Sequence, residues 1–241
     1  MIKRPLVILV AMVAVLLPTV AATAAAGAET TSVTYQIEFV NNTTGQYFTP
    51  PNVALHTTAV DVFDLRNPAS PGVQAVAENG AVDLLAAELE GAVDNTNNGV
   101  SGVLVRDGSA GQGPLAPGGT ASGEFTTNAS KFSLVSMIIC TNDGFAGSDS
   151  KNLPDDIGEE IIYTLRGYDA GTEINTEDRG DLVPAPFCGD DGRGTGETNP
   201  ALAENGVVRV HRTLQGNGDL PASFDWDNNN DIAYVRIVRT S

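Results

Sequence analysis

Val33-Thr34-Tyr35-Gln36-Ile37-Glu38-Phe39-Val40 decides the fold class. Val33, Tyr35, Ile37 and Phe39 alternate with Thr34, Gln36 and Glu38. Successive side chains of an extended chain point to opposite faces, so this pattern predicts a strand with one buried face. The alternation returns near the other end, where Ala233, Val235 and Ile237 interleave with Tyr234, Arg236 and Val238. Lys131 to Cys140 is different, because Phe132, Leu134, Val135, Met137, Ile138 and Ile139 leave hardly a polar position. A run covered on both faces has this composition, so it is expected at the centre of the sheet. Shorter strands are expected over 53–57, 103–105, 123–127, 161–165 and 207–211. Val82, Leu85, Ala86 and Leu89 recur at helical spacing, and Gly91 supplies a stop. The prediction is an all-β fold, an antiparallel β-sandwich of about eight strands with one short helix and long loops. No shift of composition marks a second domain, so 29–241 is read as a single domain.

The chain has 241 residues, with 30 acids against 13 bases and a formal net charge of -17. Nucleic-acid binding needs clustered Lys and Arg, so that class is excluded as a partner. Attraction to anionic lipid is disfavoured for the same reason, and membrane attachment is not expected. At the start, Lys3 and Arg4 precede an apolar run from Leu6 to Leu17, followed by small residues that include Ala26-Gly27-Ala28. That order predicts a cleaved signal peptide over 1–28 and a secreted protein. Cys140 and Cys188 are the only cysteines. In an oxidising compartment a disulfide is their default state, with two free buried thiols as the alternative.

Two segments carry the chemistry. In the first, the apolar run ends in Thr141-Asn142-Asp143-Gly144-Phe145-Ala146-Gly147. In the second, Tyr168-Asp169-Ala170-Gly171-Thr172-Glu173 sets two carboxylates around a glycine. Calcium takes six to eight oxygens from carboxylates, carbonyls and water, and glycine lets a loop turn its carbonyls inward. Spacing alone leaves two exposed acidic turns as the competing reading.

These two segments resemble the spondin domain, the extracellular module of F-spondin and mindin that also occurs alone in exported bacterial proteins. Gly45-Gln46-Tyr47-Phe48-Thr49-Pro50-Pro51, Gly216-Asn217-Gly218-Asp219-Leu220 and Asp225-Trp226 extend the resemblance. It implies a β-sandwich with bound calcium at one end. The implied ligands are Asp143, Asp169 and Glu173, with Glu124 as a weaker further candidate. Glu173 departs from the aspartate usual in animal members, and Gly144-Phe145 stands where they carry tryptophan. The implied function is a secreted calcium-binding module, without catalysis, that meets extracellular matrix, polysaccharide or a cell-surface protein. A structural component of the cell surface that assembles through its edge strands is the alternative. An exported hydrolase is disfavoured, because Gly-x-Ser-x-Gly and His-Glu-x-x-His are both absent. Asp225 to Asp231 mimics the start of an EF-hand loop, but Asn230 stands where the glycine belongs and Arg236 where the final glutamate belongs.

Overall fold

The computed structural model describes residues 32–92, 99–106, 113–182, 186–189, 199–226 and 231–241. The leader expected over 1–28 lies outside the described residues, as do positions 227–230 of the EF-hand-like stretch. Among the described residues ten strands run in chain order: β1 Val33–Asn41, β2 Asn52–His56, β3 Val100–Val103, β4 Val105–Arg106, β5 Thr120–Thr127, β6 Lys131–Met137, β7 Gly144–Asn152, β8 Glu160–Asp169, β9 Arg209–Val210 and β10 Ala233–Arg239. Two helices, α1 Pro71–Asn79 and α2 Val82–Ala92, lie between β2 and β3.

The strand order is β3-β2-β6-β7-β8-β10-β1-β5-β4, with β9 beside β8, and every pairing is antiparallel. The all-β expectation holds. The two layers are joined through β8. Its first residues, Glu160 to Leu165, pair with β10, and its last, Arg166 to Asp169, pair with β7. The far edges approach as well, so the sheet is nearly closed. Gly102 of β3 passes the ring of Phe125 on β5, where a Cβ would sit 2.8 Å from Phe125 Cε1.

The burial pattern explains the composition of β6. Phe132 and Leu134 enter the core between the layers, with Ile37, Phe39, Val235 and Ile237. Val135 and Met137 enter a second core beneath the helices, with Val73, Val76, Leu85 and Leu89. A strand covered on both faces needs apolar residues at nearly every position.

Two expectations need correction. Among the described residues there are two α-helices rather than one. α1 opens at Ser70, whose hydroxyl accepts from Val73 N at 3.1 Å, and closes at Gly80 with φ 63°. Glu88 of α2 strengthens that opening, accepting from Gly72 N at 2.7 Å and from Ser70 Oγ at 2.8 Å. The second correction concerns Gly144 to Gly147, expected as loop, which form the buried start of β7. This stretch lacks apolar alternation because its glycines are set by close packing. A Cβ at Gly147 would sit 2.9 Å from the Phe63 ring, and one at Gly144 would meet Thr141 Oγ1 at 2.3 Å.

Candidate metal centre

The turn from Ile138 to Asp143 links β6 to β7. Thr141 holds it, donating from Oγ1 to Ile138 O at 2.6 Å and accepting from Gly144 N at 2.9 Å. The Cys140–Cys188 disulfide forms, with Cα atoms 5.4 Å apart, and fastens the short turn Pro186–Cys188 against this point. Across β7 and β8 the register sets Gly144 opposite Asp169. Ala170 N donates to Asp143 O at 3.0 Å, so the two acid-bearing segments meet directly.

Asp143 is fully buried. Its Oδ2 accepts from Thr172 N at 2.7 Å, Glu173 N at 3.1 Å and Thr172 Oγ1 at 3.3 Å. Its Oδ1 is buried and has no hydrogen-bond partner. Burial first, and then the charge of Asp169, push the Asp143 carboxyl up to about 7. A buried carboxylate oxygen without a donor is costly, so this atom calls for a cation or a proton.

Asp169 ends β8 and is also buried. Its Oδ1 accepts from Gly171 N at 2.8 Å, and its Oδ2 from Asn175 Nδ2 at 2.7 Å and Arg209 Nε at 3.1 Å. Burial raises its pKa, and the Arg209 guanidinium works against that rise. Gly171 turns the chain here with φ 71°, and a Cβ would lie 2.5 Å from Val207 N. Glu173 is buried on the far side of this turn, its Oε1 accepting from Asn199 N at 3.2 Å. Burial pushes its carboxyl up to about 7, assisted by the charges of Glu78, Asp143 and Asp181.

The structure therefore brings Asp143, Asp169 and Glu173 into one buried electrostatic neighbourhood. It does not gather them into a finished cage, for among the described residues no three His, Cys, Asp or Glu side chains are grouped tightly enough to hold an ion. Glu124 is elsewhere. It is exposed on β5, opposite Gln36 of β1, and β1, β10 and β8 lie between it and β7 along the sheet. Asn142, whose amide oxygen could have served a cation, spends it on Thr176 N at 3.1 Å and Glu177 N at 3.4 Å.

Other buried polar groups lie outside the two acid segments, among them His211 and His56, which the sequence gives no catalytic neighbours. Glu177 is buried, and its carboxylate accepts from Gln215 N at 2.5 Å and Asn217 N at 2.8 Å. His211 is buried against Trp226, with ring centroids 5.0 Å apart. Its Nδ1 accepts from Thr213 N at 2.9 Å, which leaves the proton on Nε2, an atom without a partner. Burial pushes its pKa down to about 4. His56, Ser133 and Asp149 form a chain joining β2, β6 and β7, with His56 Nε2 2.7 Å from Ser133 Oγ and Ser133 Oγ 3.0 Å from Asp149 Oδ1. No local motif marks these residues, which meet only through strand pairing.

The junction of the two segments leaves one buried carboxylate oxygen unpaired, Asp143 Oδ1, and the peptide groups of the Gly171 turn that reach Asp143 are N–H donors to its Oδ2. No curated protein matches the chain. A family model described as Spondin_N matches residues 30–177, which takes in both acid segments. With more than half of its length matched, the chain belongs to the spondin N-terminal domain family, a family of extracellular modules.

Proposed function

We propose that this chain is a secreted calcium-binding spondin module, a single domain over 29–241 without catalysis. Its loops at the Asp143 end meet extracellular matrix, polysaccharide or a cell-surface protein. The observation that carries the calcium reading is the buried, unpartnered Oδ1 of Asp143 beside the carboxylate of Asp169. Asp143, Asp169 and Glu173 are the residues that would hold the ion. A calcium ion supplies no chemistry of bond making here; it neutralises charge. Asp143 fastens the Thr172–Glu173 peptide groups, and Arg209 holds Asp169 in position. An ion bound to the folded state alone stabilises that state by mass action. Secretion rests on the leader pattern and the family.

The test is thermal unfolding of the full chain in EDTA and then in excess calcium chloride. EDTA is expected to lower the melting temperature and calcium to restore it. Identical melting curves in both would end the calcium reading. Asp169→Asn is expected to lose the response, and a full response in that variant would remove Asp169 from the ligand set.

A further inference from the structure

We propose that the cleft where β7 and β8 part binds an acidic sugar, its carboxylate on Lys151 and Arg166, a hydroxyl on Ser148 and Asp149, and its ring face on Phe63 and Tyr168. This names one partner class within the binding function proposed above and rests on that reading, though on no bound ion. β7 pairs with β8 only from Gly144 to Gly147, the last of which faces Arg166. Past Gly147, β7 keeps only β6 as a partner, and before Arg166, β8 keeps only β10. The strands part there, and a cleft of about 590 Å³ opens, in the size range of small-molecule sites. Tyr163 Oη bridges the two strands further along, donating to Asn152 O at 2.8 Å.

Two devices build the lining. On β8, strand alternation sets Thr164, Arg166 and Tyr168 on one face, and all three line the cleft. On β7 a bulge does the work. Phe132 pairs with Lys151 and Leu134 with Ser148, so Asp149 and Ser150 together stand opposite Ser133 alone. Ser150 has a left-handed backbone there, with φ 50°. In a regular strand the neighbours Ser148 and Asp149 would face opposite ways, whereas here both line the cleft with Lys151.

Ser148 is the residue that asks for a ligand. It is 4 % exposed, and its Oγ has no hydrogen-bond partner. A buried hydroxyl left unpaired is costly. Lys151 and Arg166 are exposed, and among the described residues their side chains make no hydrogen bond or ion pair. Asp64, Asp149 and Asp231 also line the cleft, so it suits a single carboxylate among hydroxyls rather than a densely charged chain. Asp149 Oδ1 is held by Val62 N at 2.9 Å and Ser133 Oγ at 3.0 Å, which fixes the carboxylate and leaves Oδ2 to accept a hydroxyl. The rings of Phe63 and Tyr168, with centroids 5.1 Å apart, supply apolar surface. Burial raises the Tyr168 pKa and the Arg166 charge works against that rise, so the guanidinium lies near the phenol. A planar guanidinium matches a carboxylate with two parallel hydrogen bonds.

Isothermal titration of tetragalacturonate into the full chain tests the proposal, with maltotetraose as the uncharged probe. Low salt and EDTA are used, because sugar carboxylates bind calcium themselves. Tetragalacturonate is expected to bind, and maltotetraose to bind about tenfold more weakly or not at all. Arg166→Gln and Lys151→Gln are each expected to weaken tetragalacturonate about tenfold. Ser148→Ala is expected to weaken it about fivefold without lowering the melting temperature. A purely structural Ser148 would do the reverse, lowering that temperature and leaving affinity unchanged. Arg212→Gln removes a base that does not line the cleft and is expected to stay within about twofold of wild type. The proposal is overturned by no binding at millimolar tetragalacturonate, by equal affinity for the uncharged probe, or by Arg212→Gln weakening binding as much as Arg166→Gln. The calcium response of the melting curve is read on the same chain, so failure of the metal centre and failure of the cleft are told apart.

Discussion

Asp143 and Asp169 face one another because Gly144, the chain neighbour of the first, is the register partner of the second. The peptide after Asp169 then returns to Asp143, with Ala170 N donating to Asp143 O at 3.0 Å. Burial first, and then the Asp169 charge that strand pairing brings close, push the Asp143 carboxyl up to about 7.

This gives the ion-free protein an unusual response to pH. Between the ordinary value of 3.8 and about 7, folded Asp143 keeps a proton that the unfolded chain has released. Stability contributed by that proton is present below about 4 and is lost as pH rises through about 7, a span of roughly 4 kcal/mol at most. In EDTA, Asp143→Asn is expected to melt higher than wild type at pH 8, with the gap closing toward pH 4. Calcium competes with the proton, so its stabilising effect on the wild type is expected to grow between pH 5 and pH 8. Melting curves over that grid, with and without calcium, check both statements.

His211 behaves in the opposite sense. Its folded pKa is depressed to about 4, so the unfolded chain gains a proton below 6.5 that the folded chain refuses. The stability present above 6.5 is lost as pH falls toward 4, by about 3 kcal/mol. Relative to wild type, His211→Gln is expected to gain that amount between pH 7 and pH 4. Denaturant unfolding of the two proteins at the two pH values measures it.

Gly171→Ala meets two obstacles, a left-handed backbone at φ 71° and a Cβ 2.5 Å from Val207 N. A loss of about 2 kcal/mol or more is expected, together with a weaker calcium response, because the turn carries the amides that hold Asp143. Chemical denaturation with and without calcium reads both effects.

The disulfide closes a loop of sequence separation 48, and chain-entropy arithmetic assigns it about 4 kcal/mol. Replacing both cysteines with alanine is expected to lower stability by up to that figure. It is also expected to raise protease susceptibility near Cys188, which digestion followed by mass spectrometry detects.

Ser133→Ala removes the hydroxyl that joins His56 to Asp149 and accepts from Ser150 N at 2.9 Å. Leaving buried His56 and the half-buried Asp149 and Ser150 short of a partner is expected to cost about 1–3 kcal/mol. An unchanged denaturation midpoint would show that the chain of bonds is idle.

The sequence made the strands legible where one face is buried. β10 appears as read from Ala233 to Arg239, and β1 extends only to Asn41. β6 was readable from composition, since both of its faces are covered. β7 was not, because Phe145-Ala146-Gly147 owes its small residues to the Phe63 ring lying over it. α1 carried its signals openly, with Ser70 and Pro71 at the start and Gly80 at the end. Val82 to Leu89 drew attention from it because their apolar spacing is stronger. At the site, Asp143, Asp169 and Glu173 lay within recognisable motifs. Glu124 is the weaker candidate that the resemblance implies, and the antiparallel register carries it outward beside Gln36.

Because β8 belongs to both layers, neither layer can be dismantled while the other keeps its form. Peeling β10 from Glu160–Leu165 loosens the strand whose last residue is Asp169, and prising β7 away removes that residue's opposite number. A force applied at the C-terminus through β10 is therefore felt at the acid pair. The acid pair and the cohesion of the two layers therefore rise and fall together.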